Sequence, residues 1–279
     1  MRKRTLEKVK EIKGMGIHSG QNINLTLRPS DEGYIEFVRT DLENAVIKID
    51  PRRVKANFSS VLTDKGRTIQ TFEHLLAVLY VFGIDSLKIE LDGNEIPILD
   101  GSAEPFVKLV QAGGSRELSE KKENIKIIKP FKIQEGSAFI AVEPAADCRI
   151  HYIIEYDHPA LKRQDIDLSV NRDMFIKEIA PARTFGFLKD VTSMRSQGLA
   201  VGGSLENAII LDEHGVINGP LRFPDEFVRH KVLDFLGDLS LLGCLVTGYF
   251  KAYKAGHFLH HKLVVFLLDN PEYWSLNYS

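Results

Sequence analysis

The chain has 279 residues, 44% hydrophobic and 27% charged, with a formal net charge of -2. Such a length supports a large core and more naturally two domains than one, while the balanced charge excludes the broad basic field of a nucleic-acid binder. Cys148 and Cys244, without CxxC spacing, read as reduced core residues rather than a disulfide framework, and no window reaches the roughly 18 apolar residues of a membrane span. The basic N-terminus has no apolar stretch behind it, unlike a signal peptide. A cytoplasmic monomer is expected, with no nucleic-acid partner and at most peripheral membrane association.

Residues 5–13 alternate, and Asn22 to Leu27 alternate again after a glycine-rich turn from Gly14 to Gly20, the pattern of a hairpin. Further strands are expected at Tyr34 to Arg39, Ala45 to Ile49 and Ser60 to Thr63. The period then changes: Thr71 to Gly83 reads as a helix capped by Thr71 and closed by Gly83. A strand at Ser86 to Leu91 and a helix at Glu104 to Ala112 follow. From Ala112 to Asn124 the chain is small and charged without apolar periodicity, which marks a domain boundary.

The second half repeats that order. Strands are expected at Ile125 to Ile133, Ala138 to Glu143 and Arg149 to Tyr156, and a short helix near Arg172 to Ile179. A long helix at Pro224 to Gly243, a strand at Val246 to Ala252 and a last helix from about Leu259 complete it. The expected fold is α+β: two similar domains, 1–118 and 124–279, each a mostly antiparallel sheet with two helices, the helices packed between the sheets in a β-α-α-β sandwich. The absence of a short repeat excludes a solenoid. Residues 189–211 are too apolar for a solvated loop and suggest an insert with its own function.

The Pro224 to Gly243 helix is apolar around most of its circumference, so its polar residues are informative. His230, Asp234 and Asp238 stand at i, i+4 and i+8 on one stripe, with Gly237 beside them. A buried carboxylate is costly unless paired, hydrogen-bonded or bound to a cation. A catalytic zinc takes three protein ligands and leaves a position for water; His230 and Asp234 supply two, although a buried His-Asp hydrogen bond competes with that reading. His74 is the candidate third, or else a capping-region histidine. Glu73, turned about 100° from it, is placed to address a metal-bound water; alternatively it is a first-turn glutamate favoured by the helix dipole. His257 suits a general acid held by Asp238. His257 and His261 form a competing metal pair, and the bland alternative for that segment is a solvated helix start.

Six blocks then acquire a common meaning: Thr71-Phe-Glu-His, Asn94-Glu-Ile-Pro-Ile-Leu-Asp-Gly-Ser, Ala182-Arg-Thr-Phe-Gly-Phe, Gly202-Gly-Ser, Val228-Arg-His-Lys-Val-Leu-Asp-Phe-Leu-Gly-Asp and Tyr253-Lys-Ala-Gly-His. In type and order, over nearly the whole chain, they resemble the UDP-3-O-acyl-N-acetylglucosamine deacetylase family of lipid A biosynthesis. The resemblance implies a zinc amide hydrolase, with Fe2+ as the alternative ion in the cell, that removes acetate from UDP-3-O-(3-hydroxyacyl)-N-acetylglucosamine. It implies His74, His230 and Asp234 as metal ligands, Glu73 as general base, His257 as general acid, Asp238 as its orienting carboxylate and Thr184 as a hydroxyl near the oxyanion. It also implies Lys231, Tyr156, Phe185 and Lys254 as substrate contacts, with Tyr156 on the uridine side, and 189–211 as an apolar passage for the acyl chain. Tyr156 and Ala200 stand where some relatives carry phenylalanine and cysteine; His260 and His261 match no catalytic residue, and His18 reads as a structural turn histidine. Two rival functions are a protein that binds a nucleotide sugar without hydrolysing it and a zinc amidase for another acetylated sugar.

Overall fold

Ile23, Leu25 and Leu27 take every second position of the strand Asn22–Pro29, and all three are buried. Alternation at period two turns one face of a strand inward, and each such side chain contributes roughly 1.5–3 kcal/mol on burial. Repeated in neighbouring strands, the same rule builds a sheet with one apolar face. The computed structural model describes residues 1–56 and 59–278, less the side chain of Tyr278.

The first sheet contains β1 (Lys10–Met15), β2 (Asn22–Pro29), β3 (Ile35–Arg39), β4 (Ala45–Lys48) and β5 (Leu87–Leu91), in the order β1-β2-β5-β3-β4. The central β5 runs antiparallel to β2 and parallel to β3. The second sheet repeats this arrangement with β6 (Phe131–Glu135), β7 (Ala138–Glu143), β8 (Cys148–Glu155), β9 (Arg163–Ser169) and β10 (Leu245–Tyr253). Its central β10 is antiparallel to β7 and parallel to β8, while β6 and β9 flank them. The two halves therefore share one strand order, helix, glycine, strand, turn and helix included.

Helices α1 (Glu73–Phe82) and α2 (Glu104–Gly113) belong to the first half, α3 (Leu188–Ser196) to the insert, and α4 (Glu226–Leu239) and α5 (His257–Asp269) to the second half. Helix α2 packs on β1, α4 on β8 and β9, and α5 on β6 and β7, while α1 and α4 pack on each other. The helices thus lie between the sheets, as the α+β sandwich requires. Gly83 and Gly243, both left-handed, end the helical segments that precede β5 and β10, the backbone geometry for which glycine pays no steric penalty.

Several elements differ from the sequence expectation. Thr71 does not cap α1: Phe72 stands at the cap without a side-chain bond, and Thr71 is itself left-handed at φ 59°. The long helix begins at Glu226, after Pro224, and the last helix at His257 rather than near Leu259. The charged stretch after α2 contains a strand, Arg116–Lys121, paired with Arg2–Thr5. Residues 125–133 divide into two strands, the first of which, Glu123–Ile127, runs parallel to the start of β10. Strand β9 has no counterpart in the sequence reading; it lies at the edge of the sheet, and none of its side chains is fully buried.

The halves approach closely at Gly237 of α4. A Cβ there would fall on the backbone carbonyl of Glu73 in α1, inside van der Waals contact. Backbone cannot move aside as a flexible side chain can, so Gly237→Ala is expected to cost about 1–3 kcal/mol as overpacking. A lowered denaturation midpoint, with activity lost in the still-folded fraction, is the outcome to be measured.

Candidate metal and catalytic site

The first turn of α1 and the middle of α4 meet above Gly237. There the rings of His74 and His230 lie 4.9 Å apart at 90°. Asp234 Oδ1 is 3.6 Å from His74 Nε2 and 3.3 Å from His230 Nε2. One ligand atom from each of the three residues lies within 4.8 Å of the others, and all three residues are buried. His230 Nδ1 donates to the Ala182 carbonyl at 3.0 Å, which leaves the Nε2 lone pair directed at the cluster. Burial lowers His230 to about 4 against the attraction of Asp234, so this ring is neutral. Burial would raise the Asp234 carboxyl, but Lys231 and the imidazoles override it and hold the group well below the usual carboxylate range. Lys231 Nζ donates to Asp234 Oδ2 at 2.9 Å. Two imidazole nitrogens and one carboxylate oxygen converging in this way form a donor set suited to zinc.

Glu73 faces the same space from the neighbouring position of α1. Its carboxyl is raised by burial, which the charge of His257 only partly offsets, and its Oε2 has no hydrogen-bond partner among the described residues. A buried unpartnered carboxylate oxygen is expensive, and its position beside the donor set fits a water or ion between them. His257 presents Nε2 to this space, 4.0 Å from Glu73 Oε1 and 3.8 Å from Asp234 Oδ2. Its other nitrogen, Nδ1, donates to Asp238 Oδ2 at 2.6 Å. Burial opposes the imidazolium, but Asp238 and Asp234 outweigh it and raise His257 to about 9.

Asp238, fully buried, is the centre of a larger network. His260 Nδ1 donates to its Oδ2 at 2.8 Å, and Ser60 Oγ donates to its Oδ1 at 2.6 Å. His261 Nε2 lies 3.2 Å from Oδ1, and the Tyr152 hydroxyl meets His260 Nε2 at 2.9 Å. His260 and His261 are therefore buried, not part of a solvated helix start. The second group able to hold an ion joins Asp238, His257 and His260 rather than His257 and His261, and its facing atoms are already hydrogen-bonded to one another. The sequence reading missed Ser60, Tyr152, His260 and His261 in this network. The readable signal was the apolar spacing Leu259, Leu263 and Leu267, which places His260 on the inner side of α5.

A cavity of about 720 Å³ opens from this cluster, lined by Glu73, His74, His230, Asp234 and His257 at one end and by Phe187, Val191, Met194, Leu205 and Ile210 in the insert. The insert is a strand-helix-strand unit: Phe185–Phe187 pairs in parallel with Ile209–Leu211, and α3 connects them. Thr184, Lys231, Phe185 and Tyr156 also line the cavity. Thr184 is fixed by its N–H to the Gly101 carbonyl and by its own carbonyl, which accepts from Ile209 N–H, both at 2.8 Å. Lys254 is not among the lining residues; it sits beside Glu155 with 3.5 Å between Nζ and Oε2. His18 lines the cavity and accepts the Ala200 N–H at Nδ1.

The family model for UDP-3-O-acyl N-acetylglycosamine deacetylase matches residues 3–269. The chain belongs to this family. It is similar to the UDP-3-O-acyl-N-acetylglucosamine deacetylase of Myxococcus xanthus, with 46% identity over 277 residues that cover 98% of this chain and 88% of the relative. The enzyme of that name from Syntrophotalea carbinolica is 44% identical, covering 98% of this chain and 89% of its own. The one from Haemophilus influenzae is 42% identical, with 98% and 92% covered. Family membership thus rests on the full span that holds both site helices and the insert.

The Asp238 network generates a prediction about stability. Asp238→Ala leaves His257, His260 and Ser60 without their buried acceptor, and a loss of roughly 3–5 kcal/mol is expected. Chemical denaturation monitored by fluorescence of Trp274, whose Nε1 donates to the Leu267 carbonyl of α5, checks it.

Proposed function

We propose that this chain is a metal-dependent hydrolase that removes acetate from the amide of a UDP-3-O-(3-hydroxyacyl)-N-acetylglucosamine, a step of lipid A biosynthesis. The observation that carries this reading is the convergence of Glu73, His257 and the His74, His230 and Asp234 set at the inner end of a largely apolar cavity. A Zn2+ ion, or Fe2+ in the cell, held by those three residues would supply Lewis-acid chemistry at the amide carbonyl and acidify a water. Glu73, poised by burial to accept a proton, takes one from the attacking water. Thr184 donates to the oxygen on which negative charge develops. An amine leaves poorly unless protonated, and His257, oriented through Nδ1 by Asp238, donates the proton from Nε2. Lys231 and Tyr156 contact the polar head, Phe185 lies beside them, and the insert receives the acyl chain. Lys254 contributes from the rim beside Glu155. Residues 1–118 and 124–279 act as the two domains that bring these groups together, and the protein works as a cytoplasmic monomer. A complete acid, base and ligand set disfavours a protein that only binds the nucleotide sugar.

Acetate release from the UDP-linked acyl substrate, abolished by a chelator and restored by Zn2+, is the expected result. No release from the metal-loaded chain overturns the reading, and equal turnover without the acyl chain favours an amidase for another acetylated sugar. Glu73→Gln is expected to lower kcat roughly a hundred- to ten-thousand-fold while metal content stays at one per chain. His230→Ala is expected to lose both metal and rate. Elemental analysis beside the kinetics separates the two roles.

A further inference from the structure

Glu95, in the loop after β5, is a fully buried carboxylate with no cationic side chain in ion-pair contact among the described residues. Its three donors come from two separate segments. Oε1 accepts from His18 N–H at 2.8 Å and Thr71 Oγ1 at 3.0 Å, while Oε2 accepts from Ser19 N–H at 2.8 Å. A side chain at Gly16 would fall on Oε2, so the loop is closed tightly around the carboxylate.

Both segments lead to the site. Thr71 is β-branched and left-handed, at φ 59°, a conformation such residues avoid and that persists only where neighbours enforce it. It is held by its hydroxyl on Glu95 and by its N–H on the Ser60 carbonyl at 3.1 Å; Glu73 and His74 follow after Phe72. On the other side, Ile17 and His18 line the cavity. They are tied to the insert through Gly202 N–H to Ile17 O at 3.0 Å and Val201 N–H to His18 O at 3.2 Å.

We propose that Glu95 is a positioning residue that couples the wall of the acyl passage to the start of α1, so that filling the passage sets the placement of Glu73 and His74. This rests on the deacetylase reading above. Binding energy from a remote part of a substrate raises kcat when it is used to place reacting groups, and Glu95 is the hydrogen-bonded joint through which these two regions meet.

The test compares kcat for the long-acyl substrate with kcat for the same nucleotide sugar bearing a short acyl group, in the unaltered chain, Glu95→Gln and Thr71→Gly, each loaded with one Zn2+. Glu95→Gln keeps the size but can turn an amide donor towards the loop N–H groups. Thr71→Gly permits the positive φ and removes the hydroxyl, so it keeps the test open should Glu95→Gln fail to fold. In the unaltered chain the long-acyl substrate is expected to have the higher kcat. Both variants are expected to lose roughly ten- to a hundredfold in kcat on that substrate, the scale of a misplacement of about 1 Å, with little change on the short one. Zn2+ affinity, measured by chelator competition, is expected to fall about ten- to a hundredfold in Glu95→Gln, as for other residues that orient ligands from behind. An unaltered ratio of the two kcat values in both variants overturns the proposal. If the unaltered chain releases acetate from neither substrate, the deacetylase reading fails instead, and an unchanged Zn2+ affinity in Glu95→Gln then overturns the coupling on its own.

Discussion

The contact between the backbone of Glu73 and Gly237 sets the geometry of everything around it. Two helices approach this closely only where one lacks a side chain, and here the missing side chain lies on α4 while the approaching carbonyl belongs to the first turn of α1. With the axes held so close, residues at the start of α1 and one to two turns back along α4 share a single volume. His74 and His230 can then lie edge to face, with the Asp234 carboxylate between them. Each sheet supplies the apolar floor that keeps its helix in place, but the spacing between helices belongs to this one contact.

Closeness concentrates charge, and the fold handles four of its buried carboxylates in four ways. Asp234 is held ionised by Lys231 and the imidazoles. Asp238 is held by imidazole and serine donors. Glu226, at the start of α4, accepts from the backbone and guanidinium of Arg183 and from Arg222 N–H. Of these four, Glu73 is the one that keeps a buried oxygen without a hydrogen-bond partner among the described residues. A low-dielectric interior penalises each of these unless its charge is matched, so Glu73 is the one of the four whose carboxyl is raised while the other three are lowered.

Periodicity made part of this visible in the sequence. The stripe of His230, Asp234 and Asp238 was legible because helical geometry stacks every fourth residue whatever the surroundings. Gly83 and Gly243 were legible because a left-handed residue after a helix favours glycine. Thr71 was misread for a related reason: threonine before a helix usually means a cap, and only the buried Glu95 explains why it adopts a glycine-like backbone instead. The strand Arg116–Lys121 was hidden because most of its side chains are exposed, so no alternation identifies it. The network of His260 and His261 was hidden because its partners are distant in sequence, Ser60 and Tyr152 among them. Helix α3 was not legible because most of its side chains are polar and face solvent, with only Val191 and Met194 half-buried towards the cavity.

The hydrogen bonds around Asp238 join Ser60 to residues up to 201 positions away. Contacts of that separation require a long loop to be closed before they contribute anything. Asp238 takes three of its partners, His257, His260 and His261, from the last helix and a fourth, Ser60, from the first half of the chain. One carboxylate on α4 therefore ties distant parts of the chain together, and the surroundings of His257 are complete only when both halves are in place.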